Sequence, residues 1–140
     1  MINIKRITEL DSELYSGLIT LWQAAEITNP ARKDSFAAIV QSLQTTGTIL
    51  IAFRAAEVIG SVWLNHDYRR LYIHHMAVLP ELQNTGIGSL LMDEVVEIGR
   101  ELGYQMKLEV HEDNPAAMHL YAKYGFTELT GYRVFIKRGE

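Results

Sequence analysis

Between a β-rich run and an amphipathic stretch lies Gln83-Asn84-Thr85-Gly86-Ile87-Gly88, with Ser89 following, a turn placed where a helix would begin. The first amide N–H groups of a helix have no partner within it. Two glycines let a backbone approach a bound group closely, and the helix dipole adds favourable potential for an anion. The chemistry that suits such a turn is the grip of a diphosphate; read alone, it is equally a glycine-marked entry into a helix. A nucleotide-triphosphate loop would place Lys and then Ser or Thr after the last glycine, whereas Ser89-Leu90 follows Gly88. A dinucleotide fingerprint would need a third glycine where Leu91 stands.

Other residues able to do chemistry lie on either side. Asn114 offers an amide at the end of a predicted strand, and Tyr121 follows two helical turns later on nearly the same face, so both can line one groove. Glu109 stands in an otherwise apolar run, where a carboxylate is costly unless it is exposed or paired. His74-His75 brings two imidazoles that titrate near neutrality, and strand alternation sends them to opposite sheet faces. With His66, His111 and His119 they show no strong metal-ligand spacing, so no metal site is expected. Arg32, Lys33, Arg69 and Arg70 read as solvated charges or as partners of an anionic ligand.

The elements that must hold these residues follow from periodicity. Ile2 and Ile4 begin a short strand, and Leu10, Leu14, Leu18, Leu21, Trp22 and Ala25 recur at helical spacing. A loop over 27–33 leads to a second helix capped at Asp34 or Ser35, with Phe36, Ile39, Val40 and Leu43 facing inward. Three β-rich runs at 48–54, 58–68 and 71–78 have short connections and imply an antiparallel meander. Ile87, Leu91, Val95, Ile98 and Leu102 mark the clearest helix, closed by Gly103. A strand over 106–112, a helix with Asn114 as N-cap and Pro115 at its first position, and a hairpin over 126–137 around Thr130-Gly131 complete the chain. Antiparallel pairs early and strand-helix-strand crossovers late imply an α/β mixed sheet with helices on both faces.

Composition bounds the partners. The 140 residues suit one domain, and 48% hydrophobic against 21% charged residues is the balance of a globular protein. Acidic residues number 17 and basic ones 13, a net charge of -4 with no basic run, which argues against nucleic acid. The absence of cysteine excludes disulfides and an enzyme thiol intermediate. No stretch reads as a secretory leader or a membrane span, so the expectation is a cytoplasmic protein with no membrane partner.

Taken together, the motifs resemble those of the GCN5-related N-acetyltransferase (GNAT) family over nearly the whole length. The family's Gln/Arg-x-x-Gly-x-Gly/Ala pattern is similar to Gln83, Gly86 and Gly88, preceded by Met76-Ala77-Val78-Leu79-Pro80. Its second motif is similar to Leu108-Glu109-Val110, Asn114, Ala117, Leu120-Tyr121 and Tyr124-Gly125-Phe126. The resemblance implies a single domain over residues 1–140, with a sheet splayed between its fourth and fifth strands. It implies acetyl-CoA as co-substrate and a primary amine as acceptor. The amides of Gln83, Asn84, Thr85, Gly86, Ile87, Gly88 and Ser89 would cradle the pyrophosphate. The backbone of Met76, Ala77 and Val78 would pair with the pantetheine arm, with Asn114 and Ala117 on its other side. The resemblance further implies Tyr121 as general acid and Glu109 as base; for the latter His75 is a rival on its own chemistry, as an imidazole that titrates near neutrality. A module that binds acyl-CoA without turnover is the alternative, and a homodimer through the terminal strands is compatible with the pattern.

Overall fold

The structure is a computed structural model and describes residues 1–139. Its chain forms two compact units, Met1–Glu109 and the segment from Val110 onward. In the first unit the order is β1 (Ile2–Ile7), α1 (Ser12–Ala24), α2 (Phe36–Leu43), β2 (Thr48–Arg54), β3 (Glu57–His66), β4 (Arg70–Val78), α3 (Ile87–Leu102) and β5 (Gln105–Leu108). Short 3-10 turns at Pro30–Arg32 and Pro80–Leu82 precede α2 and α3. The five strands form one sheet in sequence order, antiparallel from β1 to β4 and parallel between β4 and β5. The mixed sheet expected from the sequence is therefore present.

Adjacent residues of β3 show how the helices are distributed. A Cβ built on Gly60 would stand 3.1 Å from Ile87 and 3.2 Å from Leu91, both in α3. The next side chain, Ser61, accepts a hydrogen bond from Trp22 of α1, and Trp63 donates one to Ser42 of α2. Successive strand residues point to opposite faces, so α3 covers one face and α1 with α2 the other. The lack of a side chain at Gly60 is what lets the first turn of α3 come this close to the sheet. The core on the two faces includes Leu18, Leu21, Trp22 and Ile39 on one side, and Ile87, Leu91, Met92 and Val95 on the other, all nearly inaccessible to water.

Local signals account for the helix ends. Asp11 caps α1 by accepting from the Leu14 amide at 2.7 Å, and Gly103 closes α3 in the left-handed region at φ 75°. Phe36 is only partly covered, against the edge of the Tyr15 ring, and Leu102 lies at the margin of the α3 stripe. The strand expected over 106–112 is shorter, ending at Leu108. Its ladder with β4 runs only from Arg70 with Gln105 to Ile73 with Leu108, while β4 continues to Val78. The sheet thus opens between these strands, and the second half of β4 has no ladder partner on that edge among the described residues.

The second unit contains α4 (Pro115–Lys123), whose first turn is capped by Asn114 accepting from the Ala117 amide at 3.2 Å. A turn forms at Thr130-Gly131 as expected, but no strand flanks it among the described residues. An isolated two-stranded hairpin is marginal in water. Leu129, Tyr132, Val134, Phe135 and Ile136 around it are all exposed.

Candidate active site

The turn leading into α3 adopts two left-handed conformations within three residues, at Asn84 (φ 64°) and Gly86 (φ 95°). Asn and Gly are the residues that visit this region most readily. Nothing lies within 4 Å of a Cβ built on Gly86, so the glycine is required here by backbone conformation and leaves open space beside it. The Gln83 side chain donates to the Val78 carbonyl at 3.3 Å and the Thr85 hydroxyl to the Leu82 carbonyl, tying the turn to the end of β4. The cap residue of α3, Gly86, has no side chain to cap it, and the amide ladder begins with Leu90 donating to the Gly86 carbonyl at 3.1 Å. A helix start with no capping side chain, open space at its glycine and no carboxylate in its first turn has the character of an anion site.

At the other end of the exposed β4 edge the strand carries a bulge. Ser61 pairs with Ala77 and Trp63 with His74, so two steps along β3 match three along β4, and His75 takes φ 49°. The bulge corrects the expectation that His74 and His75 face opposite ways. Both rings lie near Trp63, at 6.5 Å and 5.3 Å between centroids, because the extra residue resets the alternation. His74 pairs with the Asn65 side chain at 2.7 Å. His75 packs 4.6 Å from the Trp22 ring, and its Nε2 donates to the Asp34 carboxylate at 3.0 Å.

Every group around His75 is held in turn. Trp22 Nε1 donates to the Ser61 hydroxyl at 2.8 Å, which donates to the His75 backbone carbonyl at 3.3 Å and so pins the bulge. Thr28 donates to the same Asp34 oxygen that His75 uses, and the Tyr15 hydroxyl donates to the Asp34 carbonyl at 3.2 Å. The side chains of both His75 and Asp34 are 9% exposed. Burial pushes the His75 pKa below its ordinary value, outweighing the opposite pull of Asp34, while Arg32 adds to the lowering. His74 is lowered as well, by burial first and then by its neighbour His75, against the pull of Glu109.

Sequence reasoning placed Asp34 among cap candidates and missed its role in this cluster. Ser35 is the cap of α2, accepting from the Ala38 amide at 3.2 Å. Two cap-forming residues in succession were the available signal, since only one can serve and the other is left for a different partner. Trp22 and Ser61 carried no signal beyond core periodicity.

Glu109 is exposed and sits one residue past β5. The other three histidines take ordinary places: His66 accepts from the Tyr68 amide, His111 from the Asp113 amide, and His119 is exposed on α4. In the second unit Tyr121 is 7% exposed, edge-on to Phe126 at 6.0 Å, and burial pushes its pKa up to about 12. Its phenol therefore stays protonated at neutral pH. Among the described residues, no helix is long and apolar enough to cross a membrane.

Comparison with known proteins agrees with this fold. Residues 6–126 match the acetyltransferase (GNAT) family. The chain is 28% identical over 101 residues to the thialysine N-epsilon-acetyltransferase of Mus musculus, a match covering 69% of this chain and 58% of that enzyme. It spans less than two thirds of the length of the curated relatives it matches. A GNAT family acetyltransferase from Streptococcus pneumoniae TIGR4 superposes with a TM-score of 0.75 at 28% identity, covering 99% of this chain and 100% of that one. Another from Elizabethkingia anophelis, solved with acetyl-CoA bound, superposes at 0.66 with 26% identity over 90% of this chain and 76% of its own. With most of its length matched, its mixed sheet opened after Ile73 and an uncapped glycine turn at the end of β4, the chain belongs to the GNAT acetyltransferase family.

Proposed function

We propose that this chain is a single N-acetyltransferase domain that moves an acetyl group from acetyl-CoA to a primary amine by direct transfer in a ternary complex. The observation that carries the reading is the turn 83–88. Its left-handed residues and uncapped helix start suit a diphosphate, and it adjoins a length of β4 with an unpaired edge. The backbone of Met76 to Val78, beyond the β5 ladder, is the proposed seat of an amide-bearing arm, received as an added strand would be. Acetyl-CoA supplies a thioester, and the residues of this chain supply position and proton transfer.

An alkylamine, with a pKa of about 10, is mostly protonated at neutral pH and must lose a proton before it can attack. His75 and Glu109 are the candidates to accept that proton. The leaving thiolate needs a proton in return, and the Tyr121 phenol, neutral across the physiological range, is the proposed donor. The family resemblance assigns Tyr121 this part. Asn114 and Ala117 are the proposed contacts of the arm at the start of α4. The mouse relative's thialysine is a primary amine, which supports that acceptor class.

The test is thiol release from acetyl-CoA across a panel of amines and peptides, with calorimetry of acetyl-CoA binding alongside. Release that depends on an amine and falls at least tenfold in Tyr121→Phe supports the reading. Saturable binding without release under any acceptor supports an acyl-CoA-binding module instead, and no binding overturns both.

A further inference from the structure

The imidazole of His75 has two nitrogens, and the structure treats them differently. Nε2 faces a carboxylate oxygen of Asp34, which can only accept, so Nε2 carries the proton. Nδ1 then holds a lone pair. It makes no hydrogen bond among the described residues, yet no buried polar side-chain atom there lacks a partner. Nδ1 therefore reaches solvent, even though the ring as a whole packs against both Trp22 and Trp63. One nitrogen is locked and the other presented. The lock itself is over-determined: Thr28 and Tyr15 hold Asp34, and the Ser61 hydroxyl holds the His75 carbonyl.

We propose that His75 is the proton acceptor of the amine, through Nδ1, and that Asp34 is the positioning residue that fixes the imidazole tautomer required for it. The proposal rests on the acetyltransferase reading given above and selects between its two candidate bases. In the step it describes, Nδ1 first takes a proton from the ammonium and frees the lone pair with which the nitrogen bonds the acetyl carbon; the nitrogen then loses a second proton, which replaces the one given to the thiolate. The carbon–sulfur bond breaks and the thiolate takes a proton from a separate donor. The imidazolium that results keeps its Nε2 proton on Asp34, whose negative charge stabilises the new positive one. The buried ring is neutral at pH 7, the state a base must start from. Glu109, by contrast, is an exposed carboxylate with no comparable support from its surroundings.

The charged groups that act on His75 are Asp34 from the loop before α2 and Arg32 from the preceding 3-10 turn, while His75 in turn acts on His74 beside it on β4. Glu109 acts on His74. From α1 and β3 the ring meets Trp22 and Trp63, which carry no charge.

The experiment compares the parent with His75→Gln, Asp34→Asn and Glu109→Gln in two measurements. The first is the pH profile of kcat and KM for acetyl transfer with the best acceptor of the amine panel. His75→Gln, which keeps an amide donor toward Asp34, is expected to lose about a hundredfold in kcat with acetyl-CoA affinity retained. It should also lose the acid limb that the parent shows below pH 6.5. Asp34→Asn is expected to lower kcat at least tenfold with KM little changed, and to displace that limb. Glu109→Gln should keep the acid limb of the parent profile, because the imidazole that produces it is untouched. The second measurement is nitrogen NMR of the His75 ring, which reads the tautomer without any acceptor. The parent should carry its proton on Nε2, and Asp34→Asn should populate the Nδ1-protonated form. A kcat for His75→Gln within threefold of the parent, or a parent imidazole protonated at Nδ1, overturns the proposal. Failure of every amine to release thiol counts against the acetyltransferase reading instead, and the NMR result still decides the part played by Asp34.

Discussion

The turn 83–88 and the cluster around His75 flank the same edge of β4, and they are built by opposite means. The turn works through backbone alone: left-handed residues, amide groups at a helix start, and side chains that for the most part face water. The cluster works through side chains drawn from α1, two loops, β3 and β4, buried or half-buried and joined to one another by hydrogen bonds. A backbone site tolerates change in its neighbours but not in its glycine. A side-chain network fails when any member is removed, because the partner left behind is a buried unsatisfied group.

The largest effect should come from Trp22→Ala. The indole is fully buried, stacks on Trp63 with the planes 7° apart, and holds Ser61, which holds the bulge. Unfolding in urea should show a loss of about 3–5 kcal/mol, the usual range for removing a buried aromatic. Histidine 74 and 75 should become more accessible, while the turn 83–88 should keep its acetyl-CoA affinity at temperatures where the variant is folded. Loss of affinity in proportion to the loss of stability would show that the two regions are one unit.

Gly86→Val tests the comparison from the other side. A β-branched residue at φ 95° is strained, and the strain should cost about 1–2 kcal/mol in stability. The new side chain would enter open space, so no packing is disturbed. Calorimetry should show acetyl-CoA binding at least tenfold weaker, with the His75 ring signals unchanged. An affinity within twofold of the parent would remove the turn from the site.

The same contrast explains what could be read in advance. The turn, the α3 stripe, the Asn114 cap and the meander each rest on residues close in sequence, and each stands where periodicity and capping place it. The bulge left no mark on the strand 70–78, whose residues alternate as acceptably without it. Its cause is the pairing with β3, a partner whose register no local pattern specifies. Asp34 and His75 are 41 residues apart, and their contact exists only once α1 and the loop before α2 are laid over the sheet. The hairpin expected over 126–137 shows the converse: turn chemistry at Thr130-Gly131 was legible, but strands need partners, and turn residues do not supply them.

Acid should separate the regions without mutation. Because burial lowers the His75 pKa in the folded chain, the unfolded chain takes up the proton first as pH falls. The stabilising contribution is present above the unfolded value of about 6.5 and is lost as pH drops through the lower folded value. Thermal unfolding followed from pH 7.5 to 5 should therefore show a declining midpoint, with a shallower decline in His75→Gln, where His74 alone remains lowered. The turn 83–88 holds no titratable group, so Gly86→Val should follow the parent's slope. Equal slopes in parent and His75→Gln would mean that the ring is as well solvated folded as unfolded.

The smallest effect expected is also the one that divides neighbouring residues. Ser35 and Asp34 are both able to cap a helix, but only Ser35 does so, through the Ala38 amide. Ser35→Ala should cost about 1 kcal/mol, the usual value of a lost cap, with the pH profile of acetyl transfer unchanged. Asp34→Ala removes no cap, yet it strips Thr28 and the His75 Nε2–H of their acceptor in a site 9% exposed. Its stability cost should exceed that of Ser35→Ala, since a buried donor left unpaired loses more than a solvated one. If the serine variant displaced the pH profile as the aspartate variant does, the helix start rather than the carboxylate would be positioning the imidazole.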